Sequence, residues 1–232
     1  MILTSNQISE LESAPLPKAL ETILSFFPGR VVFSTSLGQE DMVLTDVIYR
    51  NNLDINIFTI DTGRLFNETY ELLDKLSSRY KKNIDVFFPL ASDVESMVKE
   101  KGINSFYESI DNRKECCRIR KIGPLNRALK NAAVWITGLR ADQSENRSAM
   151  PMIEWLEDRQ MYKFNPLIHW SLEDVTKYIN EYSVPYNVLH DRNFISIGCA
   201  PCTRAIEPGE DARAGRWWWE SSKKECGLHV SV

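Results

Sequence analysis

The apolar residues of the chain fall into short runs that switch between the strand period and the helix period. Four runs have the length and composition of buried strands, and we predict strands over Arg30–Thr35, Asp54–Ile60, Ile84–Phe88 and Ala133–Gly138. Between these runs, apolar residues recur at helical spacing, which predicts helices over Asp41–Arg50, Asn67–Tyr80 and Ile119–Leu129. Strands that alternate with helices of this length indicate a doubly wound α/β fold with a mainly parallel sheet.

Capping signals and turn residues extend this prediction. Ser92 and Glu95 have the spacing of a capping box and predict the start of a further helix, and Ser171 with Asp174 predicts a helix that reaches about Tyr182. Two short apolar runs predict strands over Met152–Glu154 and Met161–Phe164. From residue 207 onward the chain is polar and carries glycine and proline, so we expect a mobile C-terminal tail. We therefore predict one α/β domain over residues 1–206 and a tail over residues 207–232.

Composition narrows the class of protein. The chain has 232 residues, of which 43% are hydrophobic and 26% charged, as in a soluble globular protein with a sizeable core. A net charge of −4 argues against a bulk nucleic-acid binder. No apolar run approaches the roughly 18 residues of a membrane span, and the N-terminal residues lack the pattern of a signal peptide. Because the cysteine count is odd, at 5, we expect no disulfide framework and a cytoplasmic location.

The cysteine spacing is the strongest chemical signal. Cys116 and Cys117 are adjacent, and Cys199 and Cys202 form a Cys-x-x-Cys pair, so four thiolates are available for a metal ion or an iron–sulfur cluster. Structural zinc usually draws on two Cys-x-x-Cys pairs, whereas adjacent side chains diverge by about 100° on a helix. Two adjacent ligands therefore need a distorted backbone or a large metal core. From the residues alone, an iron–sulfur cluster, a zinc ion and ordinary buried thiols all stay open.

Positive charge surrounds the adjacent cysteines. Between Arg113 and Lys130, seven basic residues stand against the single acid Glu115. This charge would stabilise thiolates and an anionic substrate, although a solvated basic helix face has the same composition. The fifth cysteine, Cys226, lies in a glycine-flanked segment and is a candidate nucleophile, with His229 three residues later.

Three loops that follow predicted strands carry residues suited to an anionic ligand. In a doubly wound sheet, ligands bind at the carboxyl ends of the strands. Small hydroxylated residues, glycine and a following helix N-terminus can bind phosphate or sulfate, aspartate suits a ribose hydroxyl, and arginine suits a phosphoryl oxygen. Each loop alone could be an ordinary turn, but together they predict an anionic nucleotide site. The candidate residues are Ser34, Thr35, Ser36, Gly38, Asp61, Thr62, Gly63, Arg64, Arg140, Gln143 and Ser144.

These residues belong to longer motifs. The motifs are Ser34–Asp41, Asp61–Arg64, Lys114–Lys121, Arg140–Ser144, Tyr162–Leu167, Gly198–Arg204, Gly215–Glu220 and Lys224–His229. A chain with this set resembles the assimilatory adenylyl-sulfate reductases of the iron–sulfur type, in the phosphoadenylyl-sulfate reductase family. The resemblance covers nearly the whole chain from Val31 onward, and it implies the fold of the adenine-nucleotide α-hydrolases and ATP pyrophosphatases.

The resemblance implies a reaction and a cofactor. It implies a [4Fe–4S] cluster on Cys116, Cys117, Cys199 and Cys202, which tunes the site electrostatically, with Lys121 between cluster and substrate. The Cys226 thiolate is expected to attack the sulfur of adenylyl sulfate, so that AMP leaves and an S-sulfocysteine remains. A thioredoxin thiolate then releases sulfite, a step of sulfate assimilation and cysteine biosynthesis. The implied clamping cations are Lys121, Arg213, Arg216 and His229. Homo-oligomers are compatible with the family.

Three alternatives stay open. The resemblance implies the unphosphorylated substrate through Arg64 and the four paired cysteines. Because Ser34–Gly38 also resembles loops of enzymes that accept 3′-phosphoadenylyl sulfate, a 3′-phospho or dual-substrate reductase is the first alternative. An ATP-dependent adenylating enzyme is the second. Against this alternative, the loop over Ser34–Asp41 contains only one glycine and is therefore less suited to binding the triphosphate of ATP. A non-catalytic iron–sulfur sensor is the third.

Overall fold

The computed structural model describes residues 2–143, 147 and 149–220. Three of the predicted site residues, Ser144, Cys226 and His229, lie outside these ranges, as does the predicted tail beyond Glu220. Within the described ranges, no helix has the length and the apolar composition needed to cross a membrane.

Helices separate the strands between residues 31 and 136, and the last two strands follow without an α-helix before or between them. The strands are β1 (Val31–Thr35), β2 (Asn56–Ile60), β3 (Asp85–Phe87), β4 (Val134–Ile136), β5 (Ile153–Leu156) and β6 (Met161–Phe164). The α-helices of the described part are α1 (Ser5–Ser13), α2 (Leu16–Phe26), α3 (Gln39–Arg50), α4 (Asn67–Tyr80), α5 (Ala91–Lys101), α6 (Ile110–Cys117), α7 (Gly123–Ala128) and α8 (Leu172–Tyr182). A π turn over Arg118–Ile122 separates α6 from α7.

The strands form one sheet in the order β3-β2-β1-β4-β6-β5. β1 is parallel to β2 and to β4, and β4 is parallel to β6, whereas β5 and β6 are antiparallel. Parallel neighbours need crossover connections, which is why helical segments stand between them in the sequence. The predicted α/β fold with a mainly parallel sheet is confirmed.

The chain divides into two compact units. The first unit contains the described residues up to Thr59 together with Glu71–Asp85 and Asn131–Asn187. Its core packs apolar side chains of the central strands against those of the helices, because both bury one apolar face. The fully buried members include Leu20, Phe33, Leu44, Ile136, Phe164 and Val175.

The second unit contains Ile60–Tyr70, Val86–Lys130 and the described residues from Val188 onward. It has a smaller apolar cluster made by Phe106, Cys199, Cys202 and Trp217. Near its C-terminal end, Thr203 and Arg216 form an antiparallel bridge, and the Arg204 N–H donates to the Gly215 carbonyl oxygen at 3.0 Å. These contacts close the loop over residues 205–214. The predicted boundary of a tail at residue 207 stays a prediction.

Two helix predictions are wrong in detail. α5 begins at Ala91 with Leu90 as its N-cap and without a side-chain cap, so Ser92 lies inside the helix and forms no capping box with Glu95. The continuous helix predicted from Ile119 is interrupted because Pro124 has no N–H to continue the α-helical hydrogen bonds. The backbone widens into the π turn before α7 starts.

Other local predictions hold. α4 and β6 have the predicted bounds, and the predicted capping box at Ser171 is present, with reciprocal hydrogen bonds to Asp174. The apolar pattern does not predict α1, α2 or α6.

Candidate active site

The loop after β1 closes on itself through Asp41. Leu37 has a left-handed backbone with a φ of 63°, and Gly38 is the N-cap of α3. The Asp41 carboxylate accepts hydrogen bonds from the Ser36 N–H at 2.5 Å and from the Ser36 hydroxyl at 2.7 Å. Thr35 Oγ1 accepts a hydrogen bond from the Leu37 N–H at 3.0 Å. The loop therefore has a defined shape at the N-terminus of a 12-residue helix, where the helix dipole favours an anion.

Asp41 is the last residue of the Ser34–Asp41 motif, but it is not among the candidate ligand-binding residues predicted from the sequence. It is 7% exposed. The pKa of its carboxyl is raised to about 7, because the effect of burial exceeds the lowering effect of the hydrogen bonds from Ser36. The signal that could have found it is an acid in the first turn of a helix that follows a small-residue loop. Ser34 has a different role from its loop neighbours, because its Oγ accepts a hydrogen bond from Trp135 Nε1 at 2.7 Å and so joins β1 to β4.

Arg140, which follows β4, is held beside the start of α3 by Glu40. Its Nε donates to Glu40 Oε1 at 2.8 Å, and its Nη1 donates to the Trp170 carbonyl oxygen at 3.4 Å. Gln143 Oε1 accepts hydrogen bonds from the Arg140 N–H, at 3.2 Å, and from Arg147. The first unit thus brings Arg140 and Gln143 next to the loop after β1. The order of strands in a parallel sheet predicts this arrangement.

In the second unit, the predicted loop Asp61–Arg64 is a tight turn. Asp61 Oδ1 accepts hydrogen bonds from the Gly63 N–H at 2.7 Å and from the Tyr70 hydroxyl at 3.0 Å. Gly63 has a φ of 73°, a conformation that glycine adopts without steric cost. The Asp61 carboxylate therefore shapes the turn.

Arg64 is also engaged within the second unit. Its guanidinium donates to the Ile103 carbonyl oxygen at 2.7 Å and to Asn104 Oδ1 at 2.9 Å. The same group lies 5.0 Å from the centre of the Phe106 ring. The predicted contact between Arg64 and a phosphoryl group stays a prediction, and it would share the guanidinium with these partners.

Thr62 joins this turn to the cysteines. Its hydroxyl lies 3.2 Å from Cys199 Sγ, and its carbonyl oxygen accepts a hydrogen bond from Arg120 Nη1 at 2.6 Å. Arg120 is 7% exposed, so its charge is held inside the unit. Arg120 is one of the seven basic residues that the sequence places around the adjacent cysteines, but it is not among the predicted site residues. The available signal is that Arg120 lies four residues after Cys116, which puts the two side chains on one face of a helical segment.

The four paired cysteines meet in one place. Cys199 and Cys202 are buried, and Cys116 and Cys117 are partly buried against them. Cys116 and Cys117 end α6, and the π turn starts at the next residue, so the distortion expected near adjacent ligands follows them. Cys199 precedes a short 3-10 turn over Ala200–Cys202. All four of these thiols are free of disulfides.

Burial opposes ionisation of the thiols unless nearby positive charge compensates for it. The pKa of Cys202 is raised to about 12, chiefly by burial and also by the neighbouring Cys199, although Lys121 and Arg216 act to lower it. Burial also raises the pKa of the Cys116 thiol, which Arg120 opposes. Cations on the π turn and on the C-terminal segment therefore lie within electrostatic range of the thiols.

The spacing of the four cysteines bears on whether they suit a single metal ion or an iron–sulfur cluster. A single tetrahedral ion with ligands at about 2.3 Å requires sulfur atoms within roughly 4 Å of one another. Across residues 2–143, 147 and 149–220, no three His, Cys, Asp or Glu side chains are close enough to hold such an ion. An iron–sulfur cluster binds each thiolate through a different iron atom, and so tolerates wider spacing. Four gathered thiols with nearby cations could hold a group of this kind.

Arg213 lies near the end of the closed loop over residues 205–214, and Arg216 follows that loop. Arg216, which is 6% exposed, donates through Nη1 to the Ile197 carbonyl oxygen at 3.2 Å. A Cβ on Gly198 would lie 2.2 Å from Arg216 Nη2, so Gly198 is required for this packing. The Arg213 carbonyl oxygen accepts a hydrogen bond from the Arg216 N–H at 2.9 Å. The structure therefore brings Arg216 and Lys121 to the cysteine cluster.

Comparison with known proteins identifies the family. Residues 30–205 match the phosphoadenosine phosphosulfate reductase domain family. The chain is 50% identical over 204 residues to the adenosine 5′-phosphosulfate reductase of Agrobacterium fabrum, covering 88% of this chain and 78% of that protein. It is 50% identical over 200 residues to the enzyme of the same name from Allochromatium vinosum, covering 86% and 78%. A crystal structure of phosphoadenylyl-sulfate reductase from Candida auris, a phosphate complex, matches with a TM-score of 0.75 and 28% identity over 88% of this chain and 99% of that one. The chain belongs to the phosphoadenosine phosphosulfate reductase domain family.

Proposed function

We propose that this protein reduces adenylyl sulfate to sulfite and AMP in sulfate assimilation, in the cytoplasm. The observation that carries the proposal is the meeting of two cysteine pairs, far apart in sequence, beside buried cations. The relatives at 50% identity are named for this activity, and they are matched over at least 78% of their length.

A [4Fe–4S] cluster is the cofactor that we propose for Cys116, Cys117, Cys199 and Cys202. When bound, it would supply the positive charge that lets these buried and partly buried thiols ionise, and an electrostatic field at the substrate. Thr62 is placed to hydrogen-bond with Cys199 Sγ, and Arg120 to offset the charge of Cys116. Such partners orient ligands and tune a metal group.

The reaction that we propose starts with the Cys226 thiolate. It attacks the sulfur of adenylyl sulfate, the bond between that sulfur and the bridging oxygen breaks, and AMP leaves with the electron pair. An S-sulfocysteine remains on Cys226. Negative charge develops on the departing phosphate oxygen, so cations that clamp this group lower the barrier. Lys121, Arg213, Arg216 and His229 are the residues that we propose for this role.

Two thiols of thioredoxin then complete the reduction. The first thiolate attacks Cys226 Sγ and releases sulfite, which leaves a mixed disulfide. The second thiolate of the same thioredoxin breaks that disulfide and restores the Cys226 thiolate. The thioredoxin dithiol is oxidised to a disulfide and so supplies the two electrons that reduce the sulfuryl group to sulfite.

A reductase for 3′-phosphoadenylyl sulfate is the second candidate. The matched family and the Candida auris structure both carry the name of that substrate, which favours this alternative. The identity is 28% to that structure but 50% to the enzymes named for the unphosphorylated substrate. We therefore place adenylyl sulfate first.

Sulfite release tests the proposal. With reduced thioredoxin, the protein is expected to release sulfite from adenylyl sulfate faster than from its 3′-phospho form. Cys226→Ser should abolish release and retain iron, whereas Cys199→Ser should lose both. Pyrophosphate release from ATP would support an adenylating enzyme instead, and an unchanged function in Cys226→Ser would support a sensor.

A further inference from the structure

A buried ion pair joins the helix of the adjacent cysteines to the end of the described chain. Arg113 Nε donates to Glu220 Oε1 at 2.8 Å, and Arg113 Nη2 donates to Glu220 Oε2 at 2.9 Å. The side chains are 8% and 4% exposed. A bidentate pair of this kind fixes the mutual orientation of the two groups as well as their distance.

The pair is part of a larger contact around Trp217. This residue is 1% exposed, and its ring lies 4.5 Å from the Arg113 guanidinium and 5.1 Å from that of Arg216. Its N–H donates to the Cys202 carbonyl oxygen at 3.2 Å, and its own carbonyl oxygen accepts from the Glu220 N–H at 2.9 Å. Both the backbone and the side chains thus hold this segment.

The backbone at Trp217 indicates that these contacts determine its conformation. Its φ is 41°, in the left-handed region that bulky residues avoid. Strained backbone of this kind persists only where the surrounding structure enforces it, and it concentrates at functional sites. The segment over Arg216–Glu220 therefore has a defined path where it leaves the cysteine cluster.

The ion pair matters because each of its two residues lies close in sequence to a candidate functional cysteine. Arg113 is three residues before Cys116, and Glu220 is six residues before Cys226. Six residues span at most about 22 Å when fully extended. The position of Glu220 therefore limits the volume that Cys226 can reach. A smaller accessible volume raises the effective concentration of Cys226 at a bound substrate.

We propose that Arg113 and Glu220 are positioning residues that anchor the segment leading to Cys226 on the cysteine-bearing helix, and so set the rate of sulfuryl transfer to Cys226. The proposal rests on the proposed function for the transfer step. The anchor itself has a consequence that needs no catalysis: release of Glu220 should change how trypsin cleaves after Lys223 and Lys224.

The first test compares the wild-type chain with Glu220→Gln, which keeps the shape of the side chain and removes its charge. Since that variant leaves the Arg113 charge buried, a double variant, Arg113→Met with Glu220→Met, replaces the ion pair with an apolar pair of similar length. Glu68→Gln is the control, because it removes a carboxylate from the exposed pair with Arg192 in the same unit. All four proteins are loaded with iron and analysed for iron content and melting temperature.

The measurements are the single-turnover rate of Cys226 modification by adenylyl sulfate, the dissociation constant of adenylyl sulfate, and the rate of trypsin cleavage after Lys223 and Lys224. We expect the double variant to keep its iron content and dissociation constant, to lose about tenfold in rate, and to be cleaved faster. Glu68→Gln should match the wild-type chain in every measurement.

Two results would overturn the anchor. One is a folded, iron-loaded double variant with the wild-type transfer and cleavage rates. The other is a joint loss of iron, melting temperature and substrate affinity that accounts for the whole loss of rate, which would assign the pair a purely structural role. If the wild-type chain forms no adduct at all, the proposed function fails, and the trypsin rates alone decide the anchor.

Discussion

Gly138, two residues after the end of β4, lies directly against the buried carboxylate of Asp41 in α3. A Cβ on Gly138 would lie 2.1 Å from Asp41 Oδ1, which is far inside van der Waals contact. The other carboxylate oxygen of Asp41 accepts the two hydrogen bonds from Ser36. The shape of the loop after β1 thus depends on a residue that has no side chain.

The Gly138→Ala variant should destabilise the protein. The added methyl group displaces Asp41 and the loop that it holds, and overpacking of this kind costs about 1–3 kcal/mol. Thermal unfolding measures the loss. Gly123→Ala is the control, because a Cβ there would make only an ordinary contact at 3.7 Å. Equal melting temperatures for the Gly138→Ala and wild-type chains would show that Asp41 can move freely.

Asp41 should also make stability depend on pH. Burial raises the pKa of its carboxyl from 3.8 to about 7, so between these values the folded chain holds a proton that the unfolded chain has lost. The stabilisation from this group is therefore complete at low pH and is lost as the pH rises through 7. Asp41→Asn removes the dependence. Its melting temperature relative to the wild-type chain should rise between about pH 5.5 and about pH 8, and a constant difference would contradict the shift.

Arg120→Gln should weaken the cysteine cluster. The substitution removes the bond to the Thr62 carbonyl oxygen and the charge that faces Cys116. Losing a buried hydrogen bond to a charged group costs about 1.5–3 kcal/mol. Iron and sulfide content per chain, with the melting temperature, should fall. Arg118→Gln, which changes an exposed residue of the same π turn, should leave both unchanged, and an unaffected Arg120→Gln would contradict the assigned role.

Removal of iron should be visible in the tryptophan signal. Trp217 is part of the apolar cluster with Cys199 and Cys202, and Trp219 packs against that cluster. If the four thiols hold an iron–sulfur group, its removal by a chelator under oxidising conditions leaves two buried and two partly buried thiols to rearrange. The fluorescence should then change as the melting temperature falls. If iron is lost while the fluorescence and the melting temperature both stay unchanged, the iron is bound at another site.

The strands and several helices could be predicted because their signals are local. Four apolar residues at helical spacing predict α4, and a short apolar run predicts β6. α6 has no such signal, because Ile110–Cys117 is mostly polar. Its helical form depends on a Ser109 cap and on the distant partner of Arg113. α1 has a local signal that the apolar pattern does not use, the capping box of Thr4 and Gln7.

In the candidate site too, some residues could be predicted from local sequence signals and others could not. Their spacing marks Cys116, Cys117, Cys199 and Cys202 as possible ligands of one group, but ordinary buried thiols fit the same spacing, and the resemblance to the family is what implies a shared cluster. The contact of Arg120 with Thr62 joins residues 58 positions apart, and the pair of Arg113 with Glu220 joins residues 107 positions apart. No periodicity encodes such contacts, because the fold alone brings these residues together.

The most direct test of the proposed function is mass spectrometry of the peptide that contains Cys226. The iron-loaded protein is incubated anaerobically, without reductant, with adenylyl sulfate or with its 3′-phospho form. The account predicts a sulfo group on Cys226 from the unphosphorylated substrate and no adduct in Cys226→Ser. An adduct from the 3′-phospho form alone would move the protein to the second candidate. The absence of any adduct from either substrate would contradict the proposed mechanism.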